Sequence, residues 1–181
     1  RLLAIFAGSR VAYGSTKIKR VGRNGKTEAD SWIVRDPITE EAMQEHLDGS
    51  LGVGSIPIDE DNACRFGCID VDVYDLDHKQ LQQKITKLKF PLSHCRSKSG
   101  GAHLYLFLEQ REPAAVVREF LTEMSIALGF SGSEIFPKQD TILSEQGDVG
   151  NFINLPYFKA EETVRYCFDS KVEALELDDF L

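Results

Sequence analysis

No stretch of this 181-residue chain stays apolar for the roughly 18 residues that a membrane-spanning helix needs, so none is expected. No signal-peptide pattern opens it. Residue 1 is Arg rather than Met, which points to a piece of a longer protein. Cysteine is sparse: Cys64, Cys68, Cys95 and Cys167. They make no pair of Cys-x-x-Cys units, which argues against a structural zinc site. Unpaired, buried thiols are expected, as in a reducing cytoplasm. There is no internal repeat and no low-complexity tract. The net charge of −8 argues against a surface that binds nucleic acid everywhere. A hydrophobic share of 42% argues against disorder and allows one domain, or two small modules around a shared core.

What is present is unevenly placed. Residues 1–27 carry Arg1, Arg10, Lys17, Lys19, Arg20, Arg23 and Lys26, with no acid. Such a segment can track a phosphate backbone, and it can equally be a solvated hairpin. Residues 161–181 set Glu161, Glu162, Asp169, Glu173, Glu176, Asp178 and Asp179 against Arg165 and Lys171. They read as an acidic surface helix or linker. Near the start, Leu2–Phe6 reads as an apolar strand, and Asn24–Gly25 as a hairpin turn. Trp32–Val34 reads as a short strand. A helix is expected over Thr39–Leu47, capped by Thr39, with Glu40 and Glu41 in its first turn and Gly49 as its stop.

Periodicity is cleaner from residue 66 onward. A strand is expected over 66–74, then an amphipathic helix over 76–89 carried by Leu81, Ile85 and Leu88. A strand at 91–97 follows, then a turn at Gly100–Gly101 and a strand at 102–108. Pro113 opens a second helix that buries Val117, Phe120, Leu121, Met124 and Leu128 and ends at Gly129. Short strands follow at Glu134–Phe136 and Asn151–Leu155. The order β-α-β-β-α-β predicts an α/β (α+β) fold of ferredoxin-like or RRM-like type. Both crossover helices then cover one face of the sheet, and the other face is left for ligands. The first strand is expected between the third and the fourth.

The first of these strands reads Ile69-Asp70-Val71-Asp72-Val73. Alternation puts the apolar residues on one face and both carboxylates on the other, ~7 Å apart by strand rise. Like charges so placed raise one another's pKa unless a cation offsets them. A divalent metal held by oxygen ligands is one remedy. A solvated edge strand is the other reading. Three more clusters bear on the choice. Arg96-Ser97-Lys98-Ser99-Gly100-Gly101-Ala102-His103 joins two cations, hydroxyls and a Gly-rich turn, a chemistry suited to phosphate. Glu134, within Glu134–Asp140, would flank Asp70 from the side opposite His103. Gly150-Asn151-Phe152-Ile153-Asn154-Leu155-Pro156 offers amides for base, sugar or phosphate, and Asn154 reads as the more structural of its two asparagines.

In these motifs the chain resembles the catalytic domain of archaeo-eukaryotic primases, in the prokaryotic branch of conflict and CRISPR-associated systems. Cys68-Ile69-Asp70-Val71-Asp72 matches the family's acidic strand. Ser99 to His103 matches its serine–histidine motif, with Ser97 as an alternative serine. Glu134 matches its later acid, with Asp140 and Asp148 as alternatives. Leu51–Pro57 and Gly150–Pro156 match flanking stretches, so the likeness covers nearly the whole chain. It implies one catalytic domain: an N-terminal αβ module at 1–62, a catalytic module at 63–160 and an acidic segment at 161–181. It implies a DNA-dependent primase-polymerase that transfers nucleotides from dNTPs or NTPs. Asp70, Asp72 and Glu134 would be its catalytic and metal-binding acids, holding two Mg or Mn ions. Arg96, Lys98, Ser99, His103, Lys138 and Asn151 would bind the nucleotide. The implied partners are a single-stranded DNA template, a primer strand and a helicase or conflict-system module, in a prokaryotic, plasmid or phage-type cytoplasm. The rival readings are a metal-dependent nuclease and a non-catalytic RRM-like nucleic-acid-binding module.

Overall fold

The computed structural model describes residues 1–21 and 27–181. Its elements are α1 (Leu2–Ile5), β1 (Tyr13–Val21), β2 (Thr27–Val34), α2 (Glu40–Asp48), β3 (Gly52–Ser55), β4 (Ala63–Val71), α3 (His78–Leu88), β5 (Leu92–Arg96), β6 (Ala102–Pro113), α4 (Ala114–Leu128), β7 (Glu134–Phe136), β8 (Ile153–Asn154) and α5 (Leu177–Phe180). Among the described residues, no helix is long and apolar enough to cross a membrane. The expected Asn24–Gly25 turn lies outside the described residues.

The strands form two antiparallel sheets. One has the order β5-β6-β4-β7 and the other β2-β1-β3-β8. The first strand of the βαββαβ unit therefore does lie between the third and the fourth. The 150s strand is shorter than expected and pairs with β3 of the other sheet. Helices α3 and α4 cover one face of the β5-β6-β4-β7 sheet. There Ile69, Val71, Leu104 and Leu106 pack with Leu81, Ile85, Val117, Leu121 and Met124. Thr39 caps α2 by accepting from the Ala42 N–H, and Asp77 caps α3 through the Gln80 N–H.

Several expectations fail, each for a physical reason. Leu2–Phe6 is helical, because Leu2 and Phe6, four apart, are both buried. Phe6 sits edge-on against Phe66, Tyr105 and Phe107. The opposite sheet face is thus not free for ligands: Phe66, Cys68, Tyr105 and Phe136 pack there with Phe6, Val53, Leu155 and Tyr157. Only its far end, at Asp70, stays open. The acidic strand stops at Val71, whose register partner Ala102 is the first residue of β6. Without a partner beyond that pair the chain peels away, and Val73 is exposed rather than core. Phe120 is likewise exposed. The acidic C-terminal segment is not a detached helix or linker. Its Tyr166 carbonyl accepts from the Arg96 N–H, and its Phe168 N–H donates to the His94 carbonyl, so it adds an edge strand beyond β5. Cys95 and Cys167 face each other across that edge and are disulfide-bonded, whereas Cys64 and Cys68 are buried free thiols.

Candidate active site

Sheet register builds the site. On one face a single row crosses the strands: Cys167 opposite Cys95, Cys95 opposite His103, His103 opposite Asp70, and Asp70 opposite Glu134. Register partners in an antiparallel pair project to the same face, which places all five side chains together. Asp70 is thereby flanked by His103 on one side and Glu134 on the other. Asp72 follows just past the strand end. Asp70, Asp72 and Glu134 line one open cleft of about 480 Å³ with Val73, Phe130, Gly132 and Ser133.

The electrostatics are those of an acid cluster only partly compensated, by Lys138. Asp70 is pushed up to about 6, first by burial, then by the charges of Asp72 and Glu134, with Lys138 opposing. Lys138 reaches Glu134 at 2.8 Å and lies over the Phe136 ring. Ser99 donates to Asp72 at 3.2 Å and shares a second hydrogen bond with Ser97. His103 Nε2 stands 3.5 Å from Asp70. The Tyr105 hydroxyl spends its proton on the Asn154 carbonyl, which only accepts, so it must accept from His103 Nδ1–H. Neutral His103 then turns an Nε2 lone pair toward Asp70. Burial holds its pKa down to about 4, helped by the charge of Arg165. His103 can donate to a phosphate through Nε2 only as the imidazolium, a condition the sequence does not reveal.

The remaining candidates separate. Arg96 Nη1 donates to the Val164 carbonyl. Burial and Arg165 depress the Lys98 pKa. Asn151 is exposed, whereas Asn154 is structural, accepting from Thr16 and, through its backbone, from Tyr105. Asp140 is paired with Arg118 of α4 at 2.5 Å. Asp148 accepts from the Gly150 and Leu143 amides and from Gln139. Neither lines the acidic cleft, whereas Glu134 lines it with Asp70 and Asp72.

Sequence reasoning missed Arg165. It lies on the added edge strand, two residues before Cys167, and so on the same side. It is 6% exposed, its Nη1 has no hydrogen-bond partner, and its guanidinium stacks over Phe158 at 4.9 Å. Burial lowers its pKa. A buried, unpaired cation is costly and rare. The signal was there: one arginine inside the otherwise apolar run Val164–Phe168.

Among the described residues, no group of three or more histidine, cysteine, aspartate or glutamate side chains is gathered closely enough to hold a metal ion. Three carboxylates nonetheless line one cleft, one of them raised by burial and by the charge of the other two, and carboxylate oxygens are the donor type that hard divalent cations take. A family model described as the archaeo-eukaryotic primase domain of TOTE conflict systems matches residues 15–176. No curated protein sequence matches the chain.

Proposed function

The chain belongs to the archaeo-eukaryotic primase domain family of TOTE conflict systems, and from that premise we propose that it is a primase-polymerase using dNTPs or NTPs on a single-stranded DNA template. The observation that carries the reading is the register that sets Asp70 between His103 and Glu134, with Asp72 beside it.

Asp70, Asp72 and Glu134 would hold two Mg or Mn ions through carboxylate oxygens. When bound, such ions lower the pKa of the attacking hydroxyl and offset charge on the departing pyrophosphate. The chain's own residues do the rest by positioning and charge. Glu134 exchanges Lys138 for the cleft. Lys138 is then released to the triphosphate. Lys98 and Arg165, close enough to affect one another, supply positive charge at the edge of the site, Arg96 adds charge from the other face at the end of β5, and Ser99 orients Asp72. Asn151 lies exposed for the sugar or base. A polyanion beside His103 raises its pKa and favours the imidazolium, which adds a further donor. Each well-placed donor of this kind is worth about 3–4 kcal/mol of barrier.

The exposed Lys17 of β1 and its basic neighbours are proposed to meet the template backbone, with affinity that falls steeply with salt. A helicase or other conflict-system module in a longer protein is the proposed source of additional template affinity. The test is incubation with template, primer, Mn and labelled nucleotides, comparing the wild type with the Asp70→Ala/Asp72→Ala double variant. Lengthened products that the double variant fails to make support the reading. Shortened products favour the nuclease, and extension retained by the double variant removes the assignment.

A further inference from the structure

A chain of side chains outside the acid cluster ends on the Gly-rich turn. His78 opens α3, the helix that follows the acidic strand, and its Nε2 lies 3.0 Å from the Gly100 carbonyl. Its Nδ1 lies 3.0 Å from His94 Nε2, and His94 Nδ1 lies 3.0 Å from Gln82 Oε1. The rings of His78, His94 and Phe168 hold one another at centroid separations of 4.7–5.2 Å.

Donor and acceptor counting leaves one arrangement for neutral rings. A carbonyl only accepts, so His78 Nε2 carries the proton and donates to Gly100. His78 Nδ1 is then an acceptor, and His94 Nε2 donates to it. His94 Nδ1 is an acceptor in turn, so neutral rings require the Gln82 amide turned over, with its NH₂ where Oε1 is placed. The two ends of the Gln amide have nearly the same shape, and the network decides between them. With Oε1 kept against His94, one of the two rings must be an imidazolium, which burial opposes, holding the His94 pKa down to about 3 and lowering that of His78.

We propose that Gln82, His94 and His78 form a positioning relay that holds the Gly100 carbonyl, and with it the Ser97–Gly101 turn, in the shape that receives the nucleotide's phosphates. Gly100 sits at φ +93°, a conformation that needs support from outside the turn. The same turn carries Ser99, which donates to Asp72. The relay thus ties the helix leaving the acidic strand to the loop that faces that strand's carboxylates. It rests on the nucleotidyl-transfer reading for its consequence, though not for its existence.

The test uses His78→Phe, which keeps a ring against His94 and Phe168 but loses the donor, and His78→Gln, whose Nε2 can restore it. Amide hydrogen exchange at residues 97–101 and binding of a non-hydrolysable dNTP with Mn are read together. Exchange should rise at 97–101 in His78→Phe and nucleotide Kd should rise about tenfold, the worth of one neutral hydrogen bond. His78→Gln should recover most of both. ¹⁵N correlations should show Nε2–H tautomers at His78 and His94 in the nucleotide-free wild type. An Nδ1–H tautomer at His78, or a freed turn with unchanged Kd, overturns the relay and leaves nucleotidyl transfer standing. A wild type that binds no nucleotide overturns the proposed function, and the relay's role with it.

Discussion

Replacing Arg165 by Met should raise stability and lower nucleotide affinity together. Met roughly keeps the apolar volume of the side chain while removing the charge and its donors. The stability side follows from the unpartnered Nη1. A buried N–H without an acceptor costs about 1–3 kcal/mol. Losing the guanidinium stack on Phe158 removes about 0.5–2 kcal/mol of cation–π attraction. The balance favours Met by about 1 kcal/mol, which for a chain of this size is an increase of ~2–4 °C in Tm. The functional side has the opposite sign. A charge-assisted contact to a phosphate is worth about 1.5–3 kcal/mol, so nucleotide Kd should rise about 10- to 100-fold. Thermal melts without nucleotide give the first quantity and titration with a non-hydrolysable dNTP the second. A variant that melts several degrees lower and binds nucleotide normally would refute the reasoning and make Arg165 a structural cation.

Two further perturbations test the charge assignments. Asp70→Asn should stabilise the chelator-treated protein at pH 7.5 by up to about 3 kcal/mol, because the folded state raises this carboxyl to about 6. The burden is full above that value and absent below the ordinary 3.8, so the gain should shrink toward pH 4; urea midpoints across that range check it, and a destabilised variant at pH 7.5 contradicts the cluster. His46 should make the fold acid-sensitive. Its Nε2–H donates to the Pro156 carbonyl and its Nδ1 accepts from the Val53 N–H, and burial holds its pKa down to about 4. The unfolded chain takes up a proton near 6.5 that the native chain refuses, so stability should fall by up to about 3 kcal/mol between pH 6.5 and 4. His46→Gln should show a flatter denaturation profile over the same window.

Much of the site is legible in local pattern. Alternation marks Ile69–Val71 as a strand with Asp70 facing away from the helices, and the βαββαβ order puts His103 and Glu134 on either side of it. Period-two and period-four spacing are properties of neighbouring residues, so they survive without tertiary information. Leu2–Phe6 is the instructive failure. A run of apolar residues this short fits a strand or a buried turn of helix, and only Phe66, Tyr105 and Phe107, supplied from far along the chain, decide for the helix.

The chain alone determines the βαββαβ order, the cap at Thr39, and the acids and Gly-rich turn that carry its family resemblance. Only the tertiary structure decides where Cys167 goes, because Cys95 lies 72 residues away and no periodicity links them, and only it brings the charge of Arg165 to bear on His103. It brings Glu134 into the cleft with Asp70 and Asp72, while Asp140 and Asp148 are drawn off by Arg118 and by loop amides. It also decides the proton positions on His78, His94 and His103. A ring nitrogen becomes donor or acceptor only when folding brings a carbonyl, a hydroxyl or another ring against it.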